Sequence, residues 1–175
     1  VEIGAPAPDF DLPGSDGHRH RLSDYAGKTV VLEWTSPVCP YTAMKYKSGA
    51  MQALQRQAAE QGAVWISIDT AAPGRPGYLT PQAMMDRVAH YHATIAAFLS
   101  DPDGKIGRAY GSKTTPSFYI VGRGGRLAYQ GAMDDDPSAD DARGANYVRA
   151  ALDDLRQGQA VKKAETHPYG CAVEY

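Results

Sequence analysis

The residues with the most reactive chemistry in this sequence are two cysteines, Cys39 and Cys171. Cys39 follows a nearly all-apolar run, Lys28 to Trp34, and with Pro40 it opens a stretch of helical spacing. At a helix N-terminus the first amides lack intrahelical acceptors, and their partial positive charge favours the thiolate, the nucleophilic form of cysteine. The competing reading is an inert buried cysteine. Three positions on, where a second thiol would stand one helical turn away, the residue is Thr42. Its hydroxyl either donates a hydrogen bond to the thiolate, lowering its pKa, or is simply a polar first-turn group.

Cys171 ends the segment His167-Pro168-Tyr169-Gly170-Cys171, which reads as a loop-like tail. Three roles are open to it: a resolving or regulatory partner for Cys39, one end of a permanent structural bridge, or an unpaired thiol. A bridge to Cys39 would close most of the chain, a constraint worth about 5 kcal/mol through loop-closure entropy. Other side chains carry weaker signals. His18 and His20 could share a strand face, but exposed polar strand residues are the plainer reading. His90 and His92 fall in a predicted helix, where that spacing splays them apart. Cys39, Cys171 and His167 could assemble a soft-metal site. No metal or cofactor is expected, and Asp134 to Asp136 read as solvated turn residues.

The chain has 175 residues, 43% hydrophobic and 22% charged, a composition that suits one globular domain over 1–175. A formal net charge of −2 and a pI near 6.2 leave no basic footprint for nucleic acid. Apolar runs such as Thr29 to Trp34 fall far short of the ~20 residues that span a bilayer, so no membrane span is expected. The sequence starts at Val1 without methionine. Together with the spared cysteine pair, this favours an exported, periplasm-like setting, with the cytoplasm as the alternative.

The elements that must position Cys39 follow from periodicity and turn residues. Pro8 to Leu12 and His18 to Leu22, joined by Ser15-Asp16-Gly17, predict a hairpin. Lys28 to Trp34 and Ala63 to Ile68 predict strands buried on both faces. Met44, Met51, Leu54 and Ala58 predict a helix from Pro40 to Gly62. Thr80-Pro81 predicts an N-cap followed by a helix, and Ala96 to Leu99 a strand. Lys105 to Tyr110 predicts a short helix, Ser117 to Gln130 a hairpin, and Ala142 to Leu155 a last helix. Strands alternating with helices argue for an α/β three-layer α/β/α domain, with a mixed sheet and an N-terminal hairpin extension.

Gly4-x-Pro6-x-Pro8-x-Phe10-x-Leu12, Asp16-Gly17 and Leu22-Ser23-Asp24-Tyr25-x-Gly27-Lys28, with Asp101-x-x-Gly104, Tyr110-Gly111 and Thr115-Pro116, carry a family signal. They resemble the redoxin branch of the thioredoxin superfamily, which includes the alkyl hydroperoxide reductase/thiol-specific antioxidant (AhpC/TSA) proteins. The resemblance spans about residues 4 to 157, a thioredoxin-like core, and leaves 158–175 as a tail. It implies a cis Thr115–Pro116 bond against Cys39, beside backbone that pairs with an extended substrate peptide. Trp34 and Pro40, flanking Cys39, would complete the substrate-binding set. It also implies that Glu33 is a buried acid that relays protons to the thiols; on the residues alone it could equally face solvent or pair with a lysine. The chain departs from the peroxiredoxin pattern, because Leu32 and Ser36 stand where a proline and a threonine are expected, and Thr115-Pro116 stands close to where an arginine is expected.

Three functions compete. The first is a thiol-dependent oxidoreductase, an antioxidant peroxidase-like enzyme or a disulfide reductase. In it Cys39 attacks a peroxide or a thiol or disulfide peptide, Cys171 resolves the intermediate and an external thiol reductant restores both. The second is a non-catalytic protein that binds a partner or a soft metal through Cys39. The third is a redox-inert scaffold with a Cys39–Cys171 bridge.

Overall fold

Val30–Trp34 forms the central strand β3, and its residues are buried from end to end because neighbours cover both faces. The computed structural model describes residues 1–137 and 145–175. An N-terminal hairpin of β1 (Asp11–Pro13) and β2 (Arg19–Arg21) precedes β3. Helix α1 (Pro40–Lys47) and helix α2 (Ala50–Glu60) follow it and lead to β4 (Val64–Asp69). Next come α3 (Pro81–Tyr91), β5 (Ala97–Ser100) and α4 (Lys105–Tyr110). The chain continues through β6 (Thr114–Thr115), β7 (Ser117–Val121), β8 (Leu127–Gly131), α5 (Tyr147–Arg156) and β9 (Cys171–Ala172).

The main sheet has the order β5-β4-β3-β7-β8. The first three strands are parallel, as helical crossovers allow; β7 runs antiparallel to β3, and β8 antiparallel to β7. On one face Val31, Trp65, Phe118 and Tyr129 pack against Met51 and Leu54 of α2 and Val148 and Leu152 of α5. On the other, Leu32, Trp34, Ile66 and Tyr119 pack against Phe10, Leu12, Leu22 and Tyr110. The expected mixed-sheet, three-layer thioredoxin-like architecture is therefore present.

Helix α3 starts as its sequence signals. Thr80 Oγ1 accepts the Ala83 amide at 3.2 Å, and Pro81 occupies the first turn. The single helix expected from Pro40 to Gly62 is instead two. Gly49 adopts φ 84°, a left-handed conformation that breaks the run and turns α2 onto the sheet. The last helix begins at Tyr147, where the Asn146 side chain accepts the Arg149 amide at 2.9 Å. Residues 142–144 of its predicted span lie outside the described residues.

The largest departure is the tail. It is no loop: β9 pairs antiparallel with β6 in the register Thr114↔Ala172 and Thr115↔Cys171. Upstream, Thr166 N–H donates to Gln130 O at 3.1 Å. Downstream, Glu174 accepts the Gly77 amide at 2.7 Å, and the Tyr175 hydroxyl donates to Ser112 O. A segment with little apolar content is held here by backbone ladders and side-chain hydrogen bonds, which local periodicity does not register.

Candidate active site

Cys39 is the N-cap of α1, with extended dihedrals (φ −86°, ψ 118°), and Pro40 takes the first helical position. That proline needs no amide acceptor, so the strand-to-helix corner forms at Cys39 without cost. Cys39 is 1% exposed and is joined to Cys171 by a disulfide, with Cα atoms 5.8 Å apart across a sequence separation of 132. The Thr115–Pro116 peptide is cis. The Thr115 carbonyl oxygen lies 3.1 Å from Cys39 Sγ, where a reduced thiol could donate to it.

Thr42 stands three residues into α1, fully buried, and its hydroxyl has no hydrogen-bond partner among the described residues; the same holds for Thr115 Oγ1. Both hydroxyls therefore retain unused hydrogen-bonding capacity. Around them Pro40 is exposed, and Val38 and Tyr41 are exposed apolar side chains at the rim.

Trp34 does not line this surface. Strand alternation turns it to the opposite face from Glu33, where it is 0% exposed, packs on Tyr110 and Tyr119 and donates Nε1–H to Thr70 at 3.0 Å. Its side chain belongs to the core.

Glu33 lies on the helix-covered face. Its carboxylate accepts from Tyr46 Oη, Trp65 Nε1 and Ser67 Oγ at 2.9–3.0 Å. Burial raises its pKa, against the pull of these donors. Neither the solvent-facing nor the lysine-paired alternative applies to it. Neither cysteine is among its hydrogen-bond partners in this disulfide state.

The sequence pattern of the AhpC/TSA family matches residues 3–130. The chain belongs to the AhpC/TSA family. One curated relative is the thiol-disulfide oxidoreductase ResA of Geobacillus thermodenitrificans, 26% identical over 129 residues, covering 73% of this chain and 67% of that protein. A solved protein of Chlorobium tepidum, assigned as a thiol:disulfide interchange protein DsbE, is 26% identical with a TM-score of 0.60. That match covers 74% of this chain and 84% of the other. An uncharacterized conserved protein from Geobacillus kaustophilus has the same fold over 99% of this chain and 92% of its own, at TM-score 0.88 and 24% identity.

The AhpC/TSA match includes Cys39, Thr115 and Pro116 and stops before Asp134, Tyr169 and Cys171. What lies beyond it includes a group that sequence reasoning missed. Asp134, expected in a solvated turn, is 3% exposed, and its carboxylate pairs with the buried Lys45 ammonium of α1 at 2.9 Å. Tyr169 donates its hydroxyl to the same carboxylate and to Asp136 O. The ring of Tyr169 sits edge-on to Tyr41, centroids 6.0 Å apart. Lys45 is charged and its partner is 89 positions away, so nothing local marks it as buried.

His20 of the early histidine pair is engaged by Tyr25 Oη and Asp16. His167 is exposed, and both sulfurs are bonded to each other rather than free for a metal. Among the described residues no group of three or more potential ligands is placed to hold a metal ion, and no helix is long and apolar enough to cross a membrane.

Proposed function

We propose that this AhpC/TSA member is a thiol-disulfide oxidoreductase that cycles Cys39 and Cys171 between dithiol and disulfide. The observation that carries the reading is the bond itself: a helix N-cap cysteine joined to a tail cysteine beside cis-Pro116. Reduction frees Cys39 at the start of α1, where the first-turn dipole and the Thr42 hydroxyl favour its thiolate. That thiolate attacks a substrate disulfide, and Cys171 resolves the mixed disulfide by attacking Cys39. An external thiol then reduces the pair. Pro40, Thr115 and Pro116 border the sulfur and position the substrate. Glu33, whose burial favours its neutral form, supplies the proton that a leaving thiolate takes up. The ResA and DsbE likenesses support disulfide chemistry, and the Cys39–Cys171 bond suits an exported setting, where such pairs persist.

The test is equilibration of the protein in redox buffers of graded potential, with the thiols trapped and counted by mass. A reversible two-electron transition, lost in Cys39→Ser and in Cys171→Ser, is the expected result. A reduced protein that leaves model disulfides untouched would sink the reading, and one that consumes hydrogen peroxide far faster than disulfides would make it a peroxidase.

A further inference from the structure

The tail does more than deliver a sulfur. Cys171 and Ala172 run antiparallel to Thr114–Thr115, and Val173 N–H extends the ladder to Lys113 O at 3.0 Å. This is the geometry of an extended peptide joined through its cysteine to Cys39. In such strand addition the backbone ladder gives affinity and the pockets beside it give choice.

Two tail positions are selective. Gly170 has φ +140°, and a Cβ there would strike the Thr115 carbonyl oxygen and meet Pro116 Cδ at 3.1 Å. Only glycine lets the backbone pass this close to the cis-proline. One residue earlier, Tyr169 caps the Lys45–Asp134 pair, with its ring centroid 5.9 Å from Lys45 Nζ and its hydroxyl on the Asp134 carboxylate. A segment that takes the tail's place must cover the same pair.

We propose that the reduced protein binds, in place of its own tail, an extended partner segment carrying an aromatic residue, glycine and cysteine in that order. Residues 169–173 are then an intramolecular version of that ligand. The proposal rests on Cys39 being the nucleophile of the preceding section. Cys39 thiolate attacks the partner's disulfide at the cysteine that follows the glycine. The Cys39–partner bond forms as the partner's own S–S bond breaks, and its second sulfur leaves as a thiolate that takes a proton. The Cys171 thiolate then attacks Cys39 Sγ, forming the observed bridge and expelling the partner's first sulfur, which is protonated in turn. Two electrons pass from the protein dithiol to the partner disulfide. The tail re-enters the ladder as the product leaves, so resolution and release are one event.

The test uses reduced full-length Cys171→Ser protein and peptides spanning residues 166–175, each with its cysteine activated as a mixed disulfide with a coloured aromatic thiol. Release of that thiol reports capture by Cys39. The natural peptide should react about 10-fold faster than its Gly170→Ala form and severalfold faster than its Tyr169→Ala form. Competition from the protein's own tail scales all three rates alike and leaves the ratios intact. Equal rates for the three peptides overturn the proposal while Cys39 stays a nucleophile. Failure to react even with activated cysteine alone overturns the nucleophile reading instead. If Cys171→Ser does not fold, reduced wild-type protein gives the same ratios, because the coloured thiol leaves in the first step.

Discussion

Thr115 faces Cys171 across a two-residue antiparallel ladder, and its carbonyl oxygen lies 3.1 Å from Cys39 Sγ. One backbone unit, just before the cis-proline, therefore sets the place of both sulfurs. The N-cap corner of α1 brings Cys39 to it from one side, and the tail strand brings Cys171 from the other. The disulfide thus ties the α1 corner to a tail strand that the ladder already holds against β6.

Opening the bridge should cost stability. With a separation of 132 residues, loop-closure entropy makes the oxidised form about 3–5 kcal/mol more stable than the reduced form or Cys171→Ser. Urea denaturation of oxidised and reduced protein measures this, and coincident midpoints would show that the bridge does not stabilise the fold.

Lys45→Met removes the ammonium 2.9 Å from a carboxylate that is 3% exposed. The expected loss is about 3 kcal/mol, with part of it restored by adding Asp134→Asn, since the amide oxygen still accepts from Tyr169. A single variant as stable as wild type would mean that water reaches the site and solvates Asp134.

Asp69 is pushed up to about 7, first by burial and further by the tail carboxylate Glu174, against the Leu79 amide and Arg87. In the unfolded chain it titrates near 3.9, so between about pH 4 and 7 the native state holds the extra proton. Its contribution to stability is therefore fully present below that window, declines as pH rises through it, and is gone above about 7. Asp69→Asn keeps an acceptor for Leu79 N–H and should flatten this decline, gaining on wild type by a few kcal/mol at alkaline pH. Denaturation midpoints followed against pH decide it; parallel curves for the two proteins would refute the shift.

Thr42→Val should raise the Cys39 thiol pKa by about one unit, because it removes a hydroxyl available to the thiolate. Stability should change by less than about 0.5 kcal/mol, since among the described residues that hydroxyl has no partner to lose. Thiolate absorbance against pH, in the Cys171→Ser background, reads the shift, and Thr42→Ser should restore it. An unchanged titration would make Thr42 a bystander.

Glu33→Gln keeps a hydrogen-bonding side chain among Tyr46, Trp65 and Ser67 but removes the titrating proton. Disulfide exchange should slow severalfold and lose pH dependence, with Cys39 alkylation in the reduced protein little changed. A rate profile identical to wild type would remove Glu33 from the proton path.

Much of the frame was legible in the residues because it rests on local physics. The run from Val30 to Trp34 is apolar without alternation and forms a strand covered on both faces. Thr80-Pro81 announces a cap that the backbone adopts, and Cys39-Pro40 stands at the strand-to-helix corner where a thiolate is favoured. What the sequence by itself determined was this order of elements and the position of one candidate nucleophile.

Only the tertiary structure decided the rest, because it depends on partners far apart in the chain. Strand alternation sends Trp34 into the core and Glu33 to the helix face, and which face belonged to which layer required the packed sheet. That Cys171 is bonded to Cys39 rather than free turned on backbone pairing with Thr115, which side-chain patterns do not encode. Lys45 and Asp134 read singly as surface charges. They are buried together, with Tyr169, carried in by that pairing, donating to the Asp134 carboxylate.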